Sequence, residues 1–286
     1  MLEESKARLA EVRLPEPFDL EAFRRDMEVM SGRRIVLQPL DGIQGVGLIG
    51  VRISTIASDH VFYPALASRP HQTHVVLRGL IHTALLQASE GIDNAEMQKL
   101  MPDLAPRVVR DALQIEQRPT SEKMSHEADL LATLLGEQIA RSELSRFYTP
   151  LKAVEEITPL WQSLVTPAPN AIVHQLDTPE LQLYRQVIEI NEEELRLLSH
   201  GHPQIDSLAS IAARRHGFST EDAHAFVEAA QLEAARRARK NRCAPLKKIR
   251  HAPAWGSVYS SEVQRLRHIA CMCRSKELNE LVDRVC

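Results

Sequence analysis

The chain is short of glycine, with 11 residues in 286, roughly half the usual ~7%. Five of these (Gly32, Gly42, Gly45, Gly47, Gly50) crowd into one stretch, and only four follow residue 91. Glycine supplies the positive-φ positions of tight turns, so a hairpin-built sheet is excluded over that long remainder. Cysteine is also sparse. All four cysteines (Cys243, Cys271, Cys273, Cys286) fall in the last 44 residues, which excludes a disulfide framework across the fold and points to a reducing, cytoplasmic setting. MLEESKARLAEV begins with acids and has no apolar centre, so no signal or transit peptide is legible. No apolar run approaches the ~18 to 20 residues that span a bilayer, and membrane insertion is not expected. A net charge of −3 leaves no global attraction to nucleic acid or acidic lipid.

What is present is an ordinary globular balance, 44% hydrophobic and 26% charged, at a length that suggests about two domains at ~150 residues each. Residues 4–13 predict a short helix ended by Pro15 and Pro17. Asp19 before LEAFRRDMEV, with Leu20, Phe23, Met27 and Met30 at three- and four-residue spacing, predicts a helix over 19–31. The period then changes: RIVLQPL (34–40), VGLIGVRIS (46–54) and HVFYPA (60–65) predict three short strands. A helix is expected from about 71 to 89. Another, capped by Ser121, carries Leu130, Leu131, Leu134, Leu135 and Ile139 on one apolar face. Pro159, Pro167 and Pro169 predict a hinge over 158–170. Thr178-Pro179-Glu180 reads as a helix start. Gly201 and Pro203 stop that helix, Gly217 ends the next, and Ser219 with Asp222 opens a helix over 220–241. Helices near 258–270 and 276–285 complete the chain.

Four constellations bear on chemistry. Gly45-Val46-Gly47-Leu48-Ile49-Gly50 spells a dinucleotide fingerprint, but strand-like VRIST follows where a helix should present its N-terminus to a pyrophosphate. The glycines fit a bent or bulged strand better. The helix near 71–89 bears His71, His74 and His82, and His74, Arg78 and His82 recur every four residues. Zinc peptidases use two histidines one turn apart, with a glutamate after the first as general base; here the corresponding residues before His82 are Arg78 and Gly79. Third, Arg236, Arg237, Arg239, Lys240, Arg242, Lys247, Lys248 and Arg250 form an acid-free stretch over 236–251, after a helix, glycine turn, helix rhythm like that of a helix-turn-helix. Its acids Glu221, Asp222 and Glu228 oppose phosphate contact, so a solvated or partner-facing patch is preferred to DNA binding. Last, Cys271-Met-Cys273 with Cys243, Cys286, His251 and His268 has metal-ligand chemistry but poor spacing, and free thiols are preferred.

The order of helix, three short strands, VFYPA, SRPHQTHVVLRGLIHTALL and then HEADLLATLL resembles ImmA/IrrE-type zinc peptidases, especially short actinobacterial members. In that family the helix reads approximately P-x-H-Q-x-H-x-x-x-H-E-x-x-H, and a glutamate in a later E-A-D-x-x-A segment completes the zinc set. The resemblance implies that His82 stands at the second zinc histidine and Glu127 at the third ligand, with His71, Gln72 and His74 leading into the motif. Arg78 then replaces the first ligand and Gly79 the base. It further suggests Arg78 as a fixed cation standing in for zinc beside Glu127. The second half, with LWQSLV, LQLYRQVIEINEEELRLL and HAFVEAAQLEAARRAR, resembles an uncharacterised actinobacterial helical cytoplasmic domain over roughly 155–241. That domain usually follows a multi-pass membrane segment, is often encoded beside short ImmA/IrrE members, and has no established activity.

These readings combine into a mainly α protein. A small α+β, zincin-like domain with a short sheet (1–150) precedes an all-α helical domain (151–286). The expected function is that of a catalytically degenerate metallopeptidase-like regulator or scaffold, without a catalytic residue or resident cofactor, whose vestigial cleft (His71, His74, Arg78, Gly79, His82, Glu127) binds a protein or small ligand. Homo-oligomer formation is left open. The alternatives are a zinc-dependent hydrolase with rearranged ligands, another enzyme using the same histidine-rich cleft, and a DNA-associated regulator using 236–251.

Overall fold

The computed structural model describes residues 12, 14–16, 18–40, 51–54, 58–86, 122–143, 149–165, 178–202, 204–241, 243 and 258–285. The expected helix over 4–13, apart from Val12, and the Gly45–Gly50 run lie outside them. The chain divides into two compact units. The first runs to Ile139; the second comprises Ala140–Cys286, with Leu66–His71 grouped with it.

In the first unit, α1 (Leu20–Ser31) starts where Asp19 Oδ1 accepts the Ala22 N–H at 2.6 Å and stops at Gly32, whose φ is 66°. It buries Phe23 and Met27. Three strands come next, β1 (Arg34–Leu40), β2 (Val51–Ser54) and β3 (Ser58–Pro64), in the spatial order β1-β3-β2. β1 runs parallel to β3, pairing Val36 with His60, while β2 runs antiparallel to β3, pairing Arg52 with Val61. The third strand thus begins two residues before the expected 60–65. Helix α2 (Arg69–Ile81) also begins earlier than expected, then gives way to one π-helical turn at His82–Leu86. Pro70 falls in the first turn of α2, where no amide donor is needed. Helix α3 (Glu122–Glu143) contributes Ala128, Leu131, Ala132 and Leu135 to a core shared with Phe23, Met27, Ile35, Val61, Val76, Leu77, Leu80 and Ile81.

The second unit is all helix among its described residues from Thr149 onward: α4 (Pro150–Leu164), α5 (Pro179–Leu197), a 3-10 turn (Leu198–His200), α6 (Ile205–His216), α7 (Thr220–Lys240), α8 (Tyr259–Met272) and α9 (Lys276–Val285). Its helix signals act as the sequence predicts. Thr178 Oγ1 accepts the Leu181 N–H, and Ser219 Oγ accepts that of Asp222. Gly217, at φ 69°, ends α6 with paired bonds from Gly217 N to Arg214 O and Phe218 N to Ala213 O, a Schellman stop. The alanines of α7 (Ala225, Ala229, Ala230, Ala234, Ala235) are buried, so neighbouring helices approach it closely.

One expectation is corrected. The interruption predicted from Pro159 does not occur, because α4 continues through it to Leu164. An internal proline costs roughly 3 kcal/mol, and the helix offsets this by burying Ala153, Val154, Ile157, Leu160 and Trp161. The Thr158 hydroxyl also donates to Val154 O at 2.7 Å in the turn disturbed by the ring. Pro159 itself is exposed, so its ring adds no core contact. Pro159→Ala should therefore stabilise the protein by about 1–3 kcal/mol, read as a higher urea midpoint by tryptophan fluorescence.

Candidate functional site

Helix α2 is buried almost all round: Val75, Val76, Leu77, Leu80 and Ile81 share its burial with His71, His74, Gly79 and His82. The cause of its depth is Gly79. A Cβ placed there would lie 2.5 Å from Val61 Cγ1 and 2.9 Å from Val61 Cγ2 on β3, closer than any side-chain carbon sits. Glycine costs a helix about 1 kcal/mol relative to alanine, and here that cost permits the helix to rest on the strand. Position 79 therefore faces the sheet, and a glutamate there would have to displace Val61.

The polar groups gather on another side of α2. His74 is 1% exposed, and its Nε2 lies 3.3 Å from Asp129 Oδ1 on α3. Against an ionised Asp129 the imidazole is the donor. His82 opens the π-helical turn and is 2% exposed. Its pKa is pushed down to about 3, first by burial, then by the Arg78 and Arg52 guanidinium groups, with Asp129 opposing them. His82 is thus neutral near pH 7. Arg52, buried on β2, places Nη1 3.2 Å from Asp59 Oδ1. Asp59 also receives Arg33 Nε at 2.8 Å.

The structure thus brings His74, Arg78 and His82 into one electrostatic neighbourhood, joined by Asp129 and Arg52, which sequence reasoning missed. Asp129 was within reach, two residues beyond Glu127 in the same E-A-D segment. The Arg52–Asp59 pair was not, since an arginine in a short strand carries no sign of its partner. Glu127 is half-buried on α3. His71 is fully buried and groups with the second unit.

Among the described residues no group of three or more His, Cys, Asp or Glu side chains is placed to hold a metal ion. Position 78 offers a guanidinium, which has no lone pair to donate to a metal, and position 79 offers no base.

Residues 146–275 match a family described as a family of unknown function, DUF6545. No curated protein and no solved structure matches the chain. The DUF6545 match spans α4 to α8 and exceeds at both ends the 155–241 resemblance read from the sequence. Among the described residues no helix is long and apolar enough to cross a membrane.

The DUF6545-like region contains the whole basic stretch, whose start falls among the described residues. Arg236 donates Nε and Nη2 to Glu233 at 2.7 Å each, Arg237 reaches Glu233 and Asp283, and Arg239 reaches Glu193 at 2.9 Å. Three of the four basic residues described there are thus engaged by carboxylates of the same chain, which weakens the patch as a phosphate-binding surface. Arg242, Lys247, Lys248 and Arg250 lie outside the described residues. Cys243 and Cys271 are exposed free thiols, and Cys273 is a half-buried one.

The geometry around α2 generates two expected outcomes. Gly79→Ala should destabilise by about 1–3 kcal/mol through overpacking, and Val61→Ala should recover part of that loss in a double-mutant cycle; Gly79→Glu should be worse than Gly79→Ala. Because the folded-state pKa of His82 is depressed, its contribution to stability is complete above about pH 6.5 and declines as the pH falls toward the folded value. By NMR, the His82 ring should remain neutral at about pH 5, where an ordinary imidazole with pKa near 6.5 is mostly charged.

Proposed function

We propose that the first unit is a binding module on a peptidase-like scaffold rather than a hydrolase, and that the DUF6545-like helices mediate its association with a partner. In this reading Arg78 is a fixed cation beside Glu127 in the place a metal would take, and these two half-buried side chains recognise a protein or small ligand above the buried His74 and His82. The observation that carries the reading is that a Cβ at position 79 would lie 2.5 Å from Val61 Cγ1: the position that would supply the general base of a zinc peptidase is committed to packing. The guanidinium at position 78 supports it as well, as does the neutral state of His82 beside two arginines.

The test is metal analysis with an activity assay on the full chain. The expected result is zinc well below one per chain, and no cleavage of casein with or without added zinc. One zinc per chain held by His82 and Glu127, with proteolysis lost in His82→Ala, would overturn the proposal in favour of a hydrolase with rearranged ligands.

A further inference from the structure

The sheet of the first unit carries a second polar group, on the face turned away from α2. Alternate residues of a strand project to opposite faces. Val61 of β3 meets Gly79 of α2, so Ser58, His60 and Phe62 project from the other face. The parallel register sets Arg34 beside Ser58 and Val36 beside His60, which puts Arg34, Val36 and Gln38 of β1 on that same face. There Ser58 Oγ lies 3.0 Å from His60 Nε2, and His60 Nδ1 lies 3.3 Å from Gln38 Oε1. Ser58, His60 and Gln38 are half-buried, and Arg34 is exposed.

The hydrogens of this chain run in one direction. A neutral imidazole has one N–H and one lone pair, and the oxygen of a glutamine amide only accepts. His60 Nδ1 therefore donates to Gln38 Oε1, and Nε2 is left to accept from the Ser58 hydroxyl. The ring is also stacked on Phe62, with centroids 6.2 Å apart and planes 18° from parallel. Burial first, and then Arg34, holds the His60 pKa below its usual 6.5, with Asp59 opposing them. Asp59 and Arg52, the latter paired with Val61, project from the opposite face. Near neutral pH the ring is thus a base rather than a cation. A hydroxyl bonded to a base whose other nitrogen is held by a third group is the arrangement of an activated nucleophile.

We propose that Ser58 is a nucleophile that takes an acyl group from an activated carboxylic ester, with His60 as its general base and Gln38 as the residue that positions that base. Ser58 Oγ attacks the carbonyl carbon while its proton passes to His60 Nε2. The bond from that carbon to the leaving oxygen then breaks, and the departing alcohol takes the proton from Nε2, so His60 ends neutral and Ser58 ends as an ester. Arg34, the exposed cation in register with Ser58, stabilises the negative oxygen that develops on the attacked carbonyl. The site lies on the sheet face opposite α2, so it stands or falls separately from the reading of Arg78 and Glu127.

The test treats the full chain with 4-nitrophenyl acetate and follows acylation by intact mass and peptide mapping. One acetyl group on Ser58 is expected, formed about a hundredfold more slowly in His60→Gln and not at all in Ser58→Ala. The rate at Ser58 should rise with pH through a value below 6.5 and be level above it, because only the neutral ring accepts the proton. Gln38→Glu should move that rise to higher pH, since a carboxylate on Nδ1 favours the charged ring; a residue that merely packs the sheet would leave the profile where it is. Acetyl groups on lysines alone, or Ser58 acetylated as fast in His60→Gln as in the wild type, overturn the proposal. Should His60→Gln not fold, the wild-type profile decides: a step below 6.5 supports the site, and a rate at Ser58 without that step overturns it.

Discussion

A glycine-sized gap between α2 and β3 sets the geometry of the first unit. With Gly79 on Val61, the helix axis lies close enough to the strand that hardly any side of α2 reaches solvent, and its histidines are drawn into the interior along with its leucines and valines. Burial then dictates their chemistry. An imidazole surrounded by apolar groups and two guanidinium groups keeps its neutral form, and one beside Asp129 is fixed in orientation by a hydrogen bond. The electrostatics of the site are a consequence of how closely one helix packs.

The helical unit solves a different problem. Its alanine-lined α7 lets helices come close, and polar side chains are carried inward with them. Asn191 bonds its Nδ2 to Val187 O, Gln186 bonds Thr158, and Trp161 donates to Glu189. Arg265 of α8, bonded to Glu194 of α5, Glu228 of α7 and Glu262 of its own helix, is the charged extreme of that tendency. It binds three helices through directional contacts, whereas apolar packing fixes only proximity.

Much of this was legible in the sequence because helix ends are local. Asp19, Thr178, Gly217 and Ser219 each act within a few residues of their own position, and all four behave as read. The sheet was legible through its change of period, although β3 begins two residues early. Partners distant in sequence were not legible. Glu194 and Arg265 are 71 residues apart and Gly79 is opposed to a strand valine, and nothing local to either marks the contact. Pro159 misled for a related reason: its helix-breaking tendency is a local property, whereas the burial that outweighs it belongs to the whole unit. The carboxylates that engage the start of the basic stretch, which come partly from α5 and α9, were not legible for the same reason.

The π-helical turn beginning at His82 has a consequence for anyone counting residues along α2. A regular α-helix brings side chains four apart onto one stripe, but a π turn closes its bonds one residue later and rotates the succeeding side chains out of that stripe. A four-residue pattern holds along α2 up to His82, and one continued past His82 would leave that stripe. The Thr83 hydroxyl, bonded to Gly79 O at 3.2 Å, sits at this change of pitch. A histidine written back at position 78 would still stand one α-helical turn before His82, but the residues that follow and support His82 would wind differently from those of a regular helix.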